Sequence, residues 1–340
     1  SLAAIDRERL PYIFISYYER YSWPTFPLLI LICLHGFRSL EQFQLIKMSS
    51  LRPDVRSGVT LVEVLMVIGI IGILLSLTTR AIQSARETAR LTACKNQVRQ
   101  VALSIEQFQT IHRIFPTNGG ADPTSTLSDI SGEKFQPSTV DFSVMQNFLW
   151  GVGQTSRPPK EQTGPWCYSI LGQLEAETLI DRNSHDQEIK FYRCPSRYRD
   201  PPSAAIDDGY GRYFGGGLVF SKIDYCMNNQ IATKLPKWTS AATVQDGMSH
   251  TILLGEKAFD PSVHKGSSWY WDEPVWIGGS KGTARSGEEL LMDGPGIEFK
   301  DNWGSPHTTG IIFAFADGST HTFHREISSE LMAELVSPAE

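Results

Sequence analysis

A membrane-length apolar run near the start of the chain constrains its fold more than any other feature. Residues 56–77 read RSGVTLVEVLMVIGIIGILLSL, and within them Val59 to Leu77 form a nineteen-residue, mostly apolar stretch. A helix needs about 20 such residues to cross a bilayer. Two arginines, Arg52 and Arg56, precede the run. Because positive residues stay on the cytoplasmic side, we expect one transmembrane helix with a cytoplasmic N-terminus and an exported C-terminal part.

The glutamate at position 63 lies inside this apolar run and needs a partner. An ionised carboxylate in hydrocarbon is costly unless another group compensates for it, and Glu63 has no basic residue nearby in the sequence. A cut between Gly58 and Val59 would create an α-amino group. The amino group of a neighbouring copy would reach Glu63 if the two helices are staggered by about one turn. We therefore interpret Glu63 as an assembly residue; the other interpretation is an ordinary single-pass anchor with an incidental glutamate.

The residues around this point resemble the cleavage and methylation motif of type IV prepilins. The segment SGVTLVE has a glycine before the cut, an apolar residue after it and a glutamate at the fifth position of the mature chain, and a short basic leader precedes it. The resemblance implies that a prepilin peptidase cleaves after Gly58 and N-methylates Val59. It also implies insertion into the inner membrane. The implied partners are the inner-membrane assembly machinery, other pilin-like subunits and the lipid bilayer.

The residues ahead of this leader show neither a helical nor a strand period. Residues 1–47 contain many aromatic side chains, and the first methionine is Met48. We expect translation to begin at Met48, so that residues 48–58 are the leader and residues 1–47 are a spurious extension of the gene model. The alternative is a genuine N-terminal region with little structure.

The helical pattern continues beyond the membrane-length run. No proline occurs between Val59 and Phe115. Apolar residues recur downstream every three to five positions, and charged residues occupy mainly the other face. The apolar positions are Ile82, Ala85, Ala89, Cys94, Val98, Val101, Ile105 and Phe108. We predict one helix over 59–115, with a transmembrane half at 59–77 and an amphipathic half at 78–116 that packs on a head.

From residue 117 onward the composition is typical of strands and turns, with many glycines, prolines and short β-branched or aromatic runs. Strands are predicted within 216–227, 250–259, 269–278 and 309–325, and helices over 169–180 and 327–336. We therefore expect a pilin-like α+β fold, in which the long N-terminal helix packs on a mainly antiparallel β-sheet head at 117–340.

Five segments together resemble a planctomycete family of prepilin-like proteins known as DUF1559. They are ARETARLTACKNQVRQVALSIEQFQTIHRIFP (85–116), YSILGQLEAETLI (168–180), FYRCPS (191–196), QDGMSHTILLGEK (245–257) and GSPHTTGIIFAFADGSTHTF (304–323). The last segment places His307 and Asp317-Gly318 at the spacing of the family's H-x9-DG motif. The sequence departs from the family pattern at Met248, at His250 and at HTTG (307–310), which puts a specific role of that loop in doubt but not the fold.

Several head residues are candidates for catalysis or metal binding. Asp317 and Gly318 are more simply explained as a hairpin turn, since aspartate and glycine provide its positive φ angles. We expect His307 to make a structural hydrogen bond rather than to bind a metal, and Asp246 and Glu256 to serve as turns or caps beside a strand. A calcium site, such as the major pseudopilins of type II secretion carry, needs converging oxygen ligands, and no oxygen-rich loop is visible. We predict no catalytic residue, metal or cofactor, with calcium as the alternative.

Cysteine spacing and net charge exclude other classes of function. The five cysteines, Cys33, Cys94, Cys167, Cys194 and Cys226, have no CxxC or other metal-ligand spacing. In an exported head, one disulfide among Cys167, Cys194 and Cys226 is one interpretation, and reduced structural thiols are the other. The net charge of −6 offers no concentrated basic face, so no nucleic-acid partner is expected.

These features favour a pilin- or pseudopilin-like structural subunit that enters a pilus or a type II secretion pseudopilus. The alternative is a membrane-tethered, extracytoplasmic ligand- or glycan-binding protein that does not polymerise. Its support is the aromatic run WYWDEPVW (269–276), since exposed aromatic side chains can bind carbohydrate. We favour the other interpretation, in which the run packs in the core with Trp269 and Trp271 inside. A tethered enzyme has no sequence motif behind it.

Overall fold

The computed structural model describes residues 59–174, 176, 185–269, 274–297 and 301–339. The chain forms two compact units, residues 1–74 and residues 75–340. The described part of the first unit is the beginning of a long helix, and the head belongs to the second. The expected leader at 48–58, including Gly58, and the expected extension at 1–47 lie outside the described residues.

The long helix α1 runs over Leu61–His112. It ends three residues before the predicted end at 115 because Arg113 has a φ of 63°. A left-handed residue of this kind ends helices, and the amide of Arg113 still donates to the carbonyl of Gln109 at 2.8 Å. The proline at 116 then restricts Phe115 to extended geometry.

The buried face of α1 begins later than the sequence pattern indicates. Seven residues of the helix are buried, namely Cys94, Val98, Val101, Ala102, Ser104, Ile105 and Phe108. Their spacing of three and four residues forms one stripe along the helix. The predictions for Ile82, Ala85 and Ala89 are wrong, because these residues are exposed. The fully buried part of α1 begins at Cys94, and the half-buried Leu91 one turn earlier packs against the same core.

The head contains short strands and two further helices in the described residues. The strands are β1 Leu127–Ser128, β2 Lys134–Phe135, β3 Ser138–Asp141, β4 Gln146–Leu149, β5 Gly151–Val152, β6 Gly211–Phe214, β7 Tyr225–Asn228, β8 Ile252–Glu256, β9 Ile277–Gly278, β10 Ala284–Arg285, β11 Leu290–Met292, β12 Trp303–Ser305, β13 Ile311–Phe315 and β14 Thr320–Phe323. The helices are α2 Trp166–Ser169 and α3 Ser329–Val336.

The main sheet has five strands in the order β10-β7-β8-β13-β14. Its pairings are antiparallel except for the parallel pair of β10 with β7. A second sheet, in the order β4-β3-β6, is antiparallel throughout. The predicted fold class, a long helix on a mainly antiparallel α+β head, is therefore confirmed.

Strand β13 separates two hydrophobic cores. Ile312 and Ala314 belong to the core that includes the buried stripe of α1. Ile311, Phe313 and Phe315 belong to the core beneath α3. Since successive side chains of a strand point to opposite faces, a continuous apolar run is what a sheet covered on both faces requires.

The hairpin between β13 and β14 turns at Asp317-Gly318, as predicted. Gly318 has a φ of 75°, and its amide donates to the carbonyl of Phe315 at 3.0 Å. The expectation that aspartate also has positive φ is wrong, because Asp317 is not among the left-handed residues. Its Oδ1 instead accepts the amide of Ser319 at 2.9 Å, which stabilises the turn locally.

Two other predictions differ from the structure in their boundaries. Of the short helix expected over 169–180, Ser169 ends the single turn α2, which follows Pro165 at its N-cap, and residues 170–174 form turns. Residue 175 and residues 177–180 lie outside the described residues. The strand expected over 216–227 is β7, which begins only at Tyr225. Of the strand expected over 269–278, the described residues contain β9, and residues 270–273 lie outside them. The C-terminal helix is confirmed as α3, where the side chain of Ser328 caps the amide of Leu331.

Candidate functional site

The N-terminal part of α1 exposes its apolar side chains. Between Val59 and Leu77 the large apolar residues are 41% to 76% exposed. Such a surface is typical of a helix whose surroundings are lipid or another protein. Within the described residues, α1 is the helix that is long and apolar enough to cross a membrane. The structure thus fits a membrane-anchored protein.

The glutamate singled out by the sequence lies in the first turn of α1. One oxygen of Glu63 accepts the backbone amide of Thr60 at 2.8 Å and the hydroxyl of Thr60 at 3.0 Å. The hydroxyl of Thr60 lies 3.3 Å from the amide of Glu63. These reciprocal contacts form a capping box, which pairs two donors of the helix end. Glu63 therefore has a local structural contact that the sequence analysis did not anticipate.

The head residues singled out by the sequence lie in three different settings. Asp246 is exposed in a turn, and Gly247 after it has a φ of 97°. Asp317 is exposed in the hairpin described above. His307, in contrast, is fully buried. The structure does not bring Asp246 or Asp317 to His307 as hydrogen-bond partners.

Four buried side chains meet inside the head and form what we call the Cys-Glu-His cluster: Cys94, Cys194, Glu256 and His307. One ligand atom from each lies within 4.8 Å of the others. The sulfur of Cys94 lies 3.3 Å from Oε1 of Glu256, and the sulfur of Cys194 lies 3.5 Å from Nε2 of His307. None of the four residues is more than 2% exposed.

The four residues come from separate elements of the second unit. Cys94 begins the buried stripe of α1, and Cys194 follows a 3-10 turn over Lys190–Tyr192. Glu256 is the last residue of β8, and His307 follows β12. The expectation that Glu256 is a cap or turn residue is wrong, because Glu256 is the last residue of β8 and is completely buried.

Neighbouring groups hold the members of the cluster in place. Nδ1 of His307 lies 2.9 Å from Oε1 of Glu87, so His307 makes a hydrogen bond to the long helix. Oε2 of Glu256 accepts the hydroxyl of Ser305 at 2.6 Å and the amide of Ile312 at 3.3 Å. The hydroxyl of Tyr225 lies 3.3 Å from the sulfur of Cys94. As a result, Oε1 of Glu256 and Nε2 of His307 face the two sulfurs.

Burial and mutual contact shift the pKa values of the cluster. Burial, aided by the charge of Cys194, raises the pKa of Glu256 to about 8. The hydrogen bond from Cys94 lowers the pKa of Cys194 to about 5 despite burial, with help from His307 and Arg197. The hydrogen bond to Cys194 and burial both raise the pKa of Cys94. These contacts favour the thiolate form at Cys194 and disfavour it at Cys94.

The protonation of His307 depends on the same neighbours. Burial alone would lower the pKa of this imidazole. The hydrogen bond to Cys194, the charge of Glu256 and the hydrogen bond to Glu87 outweigh burial and raise the pKa of His307 to about 9. The negative groups around His307 thus favour its protonated form.

A buried charge network positions Cys194. Oδ2 of Asp224, a completely buried side chain, accepts the amide of Cys194 at 2.7 Å. Arg197 and Arg199 both pair with Asp224. Arg197 also donates to Asp293 at 2.8 Å. Backbone and side-chain contacts therefore hold the Cys-Pro-Ser segment, residues 194–196, beside the cluster.

Sequence spacing did not reveal the cluster, because its members lie far apart along the chain. Cys94 and Glu256 are separated by 162 residues, and Cys194 and His307 by 113. A usable signal was present in the family resemblance. Four of the five segments quoted for it each contribute one member: the Cys-Lys-Asn, Cys-Pro-Ser, Gly-Glu and His-x9-Asp-Gly segments.

The cysteines that the structure describes are all buried and carry reduced thiols: Cys94, Cys167, Cys194 and Cys226. The disulfide considered among the last three is thus absent from this described set, and the reduced alternative applies to them. The sulfurs of Cys167 and Cys226 contact the backbone carbonyls of Val275 and Gly282. These two thiols fill core positions outside the cluster.

The aromatic run at 269–276 packs largely inside the head where it is described. Trp269 and Trp276 are 1% and 2% exposed. The core prediction for Trp269 is confirmed, whereas Trp271 lies outside the described residues. The two described tryptophans therefore offer no surface for a carbohydrate.

Comparison with known proteins identifies one family. A family model described as a protein of unknown function (DUF1559) matches residues 83–330. This range contains the whole Cys-Glu-His cluster and starts beyond the membrane-length part of α1. Neither the curated proteins nor the solved structures contain a match.

Proposed function

The chain belongs to the DUF1559 family, and we propose that it is a membrane-anchored, pilin-like structural subunit rather than an enzyme. One observation carries the proposal: α1 is a single helix whose first part exposes apolar side chains and whose last part is buried in the core of the head. Exposed apolar area of this extent is unfavourable in water and favours transfer into lipid or a helix bundle.

The proposed route to the membrane follows from the residues at the start of α1. A prepilin peptidase cuts between Gly58 and Val59 and methylates the new amino group. Arg52 and Arg56 keep the leader in the cytoplasm, so that the head is exported across the inner membrane. The mature subunit then enters a pilus or a type II secretion pseudopilus together with other pilin-like subunits.

Glu63 is the proposed assembly residue, and its capping box offers a competing explanation. In assembly, its carboxylate pairs with the amino group of Val59 from the next copy. A buried ion pair adds little net stability but strongly disfavours registers that leave a charge unpaired. In the competing explanation, Glu63 serves only the amide and hydroxyl of Thr60.

Two substitutions separate these explanations. Glu63→Gln keeps the capping box, since glutamine also serves at this position, but removes the charge. Thr60→Ala removes the capping hydroxyl and keeps the carboxylate. We expect Glu63→Gln to insert in the membrane with a folded head and to lose the multimers that chemical cross-linking captures in native membranes. Thr60→Ala should retain them.

Mass spectrometry of the mature chain from native membranes provides the second test. The expected N-terminus is a methylated Val59. A different N-terminus would contradict the processing, and wild-type multimers in Glu63→Gln would contradict the ion pair. The receptor alternative rests on the run at 269–276, and the burial of its two described tryptophans gives it no support.

A further inference from the structure

We propose that the Cys-Glu-His cluster binds one Zn²⁺ ion, which fastens α1 to the head. The donors are two sulfurs, one imidazole nitrogen and one carboxylate oxygen, from Cys94, Cys194, His307 and Glu256. Sulfur and imidazole favour zinc over the oxygen-seeking cations calcium and magnesium. This proposal concerns residues of the second unit, 75–340, and does not depend on whether the subunit polymerises.

The distances within the cluster resemble the edges of a zinc tetrahedron. Bonds of about 2.3 Å to sulfur and about 2.0 Å to nitrogen or oxygen give sulfur–nitrogen and sulfur–oxygen edges of about 3.5 Å. The observed distances are 3.5 Å from Cys194 to His307 and 3.3 Å from Cys94 to Glu256. All the ligand atoms lie within 4.8 Å of one another. Side-chain movements of about 1 Å would therefore bring the remaining pairs to the distances of a zinc tetrahedron.

The groups behind the donors have the arrangement of an outer metal shell. In a zinc-binding histidine, the ring nitrogen that does not bind the metal usually hydrogen-bonds to a carboxylate or a backbone carbonyl. Nδ1 of His307 lies 2.9 Å from Oε1 of Glu87. Ser305 and the amide of Ile312 hold the far oxygen of Glu256, which leaves the near oxygen for the ion. The Tyr225 hydroxyl lies 3.3 Å from the sulfur of Cys94.

The burial of the cluster indicates a structural role for the ion. Four protein donors fill a tetrahedral shell and leave no position for a substrate, which is typical of structural rather than catalytic zinc. The ion would join Cys94 of α1 to the segment after the Lys190–Tyr192 turn, to β8 and to the segment after β12. A ligand that binds only the folded state stabilises it.

The test uses the full-length chain, purified in detergent under reducing conditions and analysed for metals by mass spectrometry. We expect about one zinc ion per chain. Cys94→Ser should reduce the zinc content about tenfold or more, and Glu87→Gln should weaken zinc affinity about tenfold because it removes only the outer carboxylate. Cys167→Ala, which removes a buried thiol outside the cluster, should keep the wild-type zinc content.

Two further measurements keep the test decisive if a variant fails to fold. In wild-type protein, a chelator should lower the thermal midpoint, and zinc but not calcium should restore it. Cobalt in place of zinc should give a thiolate charge-transfer band that Cys167→Ala retains. Folded, reduced wild-type protein without stoichiometric zinc would overturn the proposal. So would a Cys94–Cys194 disulfide in the chain from native membranes, or equal zinc loss in Cys167→Ala.

Discussion

At the scale of single residues, Asp224 is the clearest case of a buried charge that the fold has compensated. Its side chain is completely buried, and Arg197 and Arg199, which pair with it, are 1% and 3% exposed. Burial alone would raise the pKa of Asp224. The positive charges of Arg199, Arg197 and Arg193 nevertheless hold it below its ordinary value.

Removing this charge should destabilise the head strongly. Asp224→Asn leaves buried arginines without their counter-charge, and breaking a buried pair in this way costs about 3–5 kcal/mol. We expect a loss of about 3 kcal/mol in the free energy of unfolding, measured by urea denaturation of the purified chain. The control is Asp207→Asn. Asp207 pairs with Arg212 at the surface, where both side chains are more than half exposed, so the loss should stay below about 1 kcal/mol.

The same substitution has a defined effect on acid stability. A carboxyl group whose folded pKa is depressed contributes its full stability above its unfolded pKa of about 3.9 and loses it as the pH falls through the folded pKa. Wild-type protein should therefore lose stability in this acidic range more steeply than Asp224→Asn. Parallel acid profiles would show that the arginines do not depress the pKa of Asp224.

At the scale of elements, the contact between α1 and the β13–β14 hairpin places the carboxylate of Glu106 near that of Asp317, which is unfavourable when both are charged. A Cβ added to Gly318 in the turn would lie 2.9 Å from Oε1 of Glu106, so the turn lies directly against the helix. Partial burial, together with the charge of Asp317, raises the pKa of Glu106. The folded state therefore binds a proton at Glu106 more readily than the unfolded state does.

This pKa shift predicts a stability that decreases toward neutral pH. Because the folded pKa is raised, the contribution of Glu106 is most favourable below the unfolded pKa of about 4.3 and declines as pH rises through the folded value. Glu106→Gln should remove this decline. Its thermal midpoint at about pH 7 should equal or exceed that of the wild type. Glu330→Gln, an exposed glutamate on α3, controls for the loss of one charge.

The buried stripe of α1 should dominate the stability of the helix–head contact. Ile105 is completely buried, whereas Ile111 on the same helix is 65% exposed. Ile105→Ala should lower the free energy of unfolding by about 2–5 kcal/mol, because it removes buried methyl groups and leaves a cavity. Ile111→Ala should change it by no more than about 0.5 kcal/mol. Equal losses in the two variants would place the packing face elsewhere.

Sequence periodicity predicted the helix α1, but it did not predict how far along α1 the head extends. The lack of proline and the regular apolar spacing were sufficient for one helix, because both follow from local backbone geometry. Ile82 and Ala85 continue the apolar pattern and yet are exposed. A pattern along one element defines a face and cannot show where the neighbouring element ends. The end of α1 at His112 depends on the left-handed Arg113, a position that glycine usually takes.

At the scale of the whole molecule, the Cys-Glu-His cluster was beyond the reach of sequence spacing. Metal motifs are recognised from sequence when two ligands lie within one turn or loop. Here each member occupies a different segment, and tertiary folding alone brings Cys94 to Glu256 across 162 residues. The hairpin at Asp317-Gly318 was predictable for the opposite reason, because its turn is determined by adjacent residues.

The separation of the exposed apolar run from the buried core predicts how the chain can be divided. Residues 75–340 form a compact unit by themselves, and the buried stripe of α1 starts at Cys94. A fragment of residues 78–340 omits the large apolar side chains of 59–77. It should remain in solution without detergent, whereas the full-length chain should require detergent or lipid.

The fragment should also keep the thermal midpoint of the full-length chain within about 2 °C, since no core residue is removed. Far-UV circular dichroism in the same detergent would compare the two directly. Ile82 and Ala85 stay in the fragment as exposed residues, so a further comparison with residues 59–340 isolates the run at 59–77. A fragment that aggregates or melts much earlier would show that this run stabilises the head as well as anchoring it. In that case the first residues of α1 would have a folding role in addition to their proposed role in the membrane.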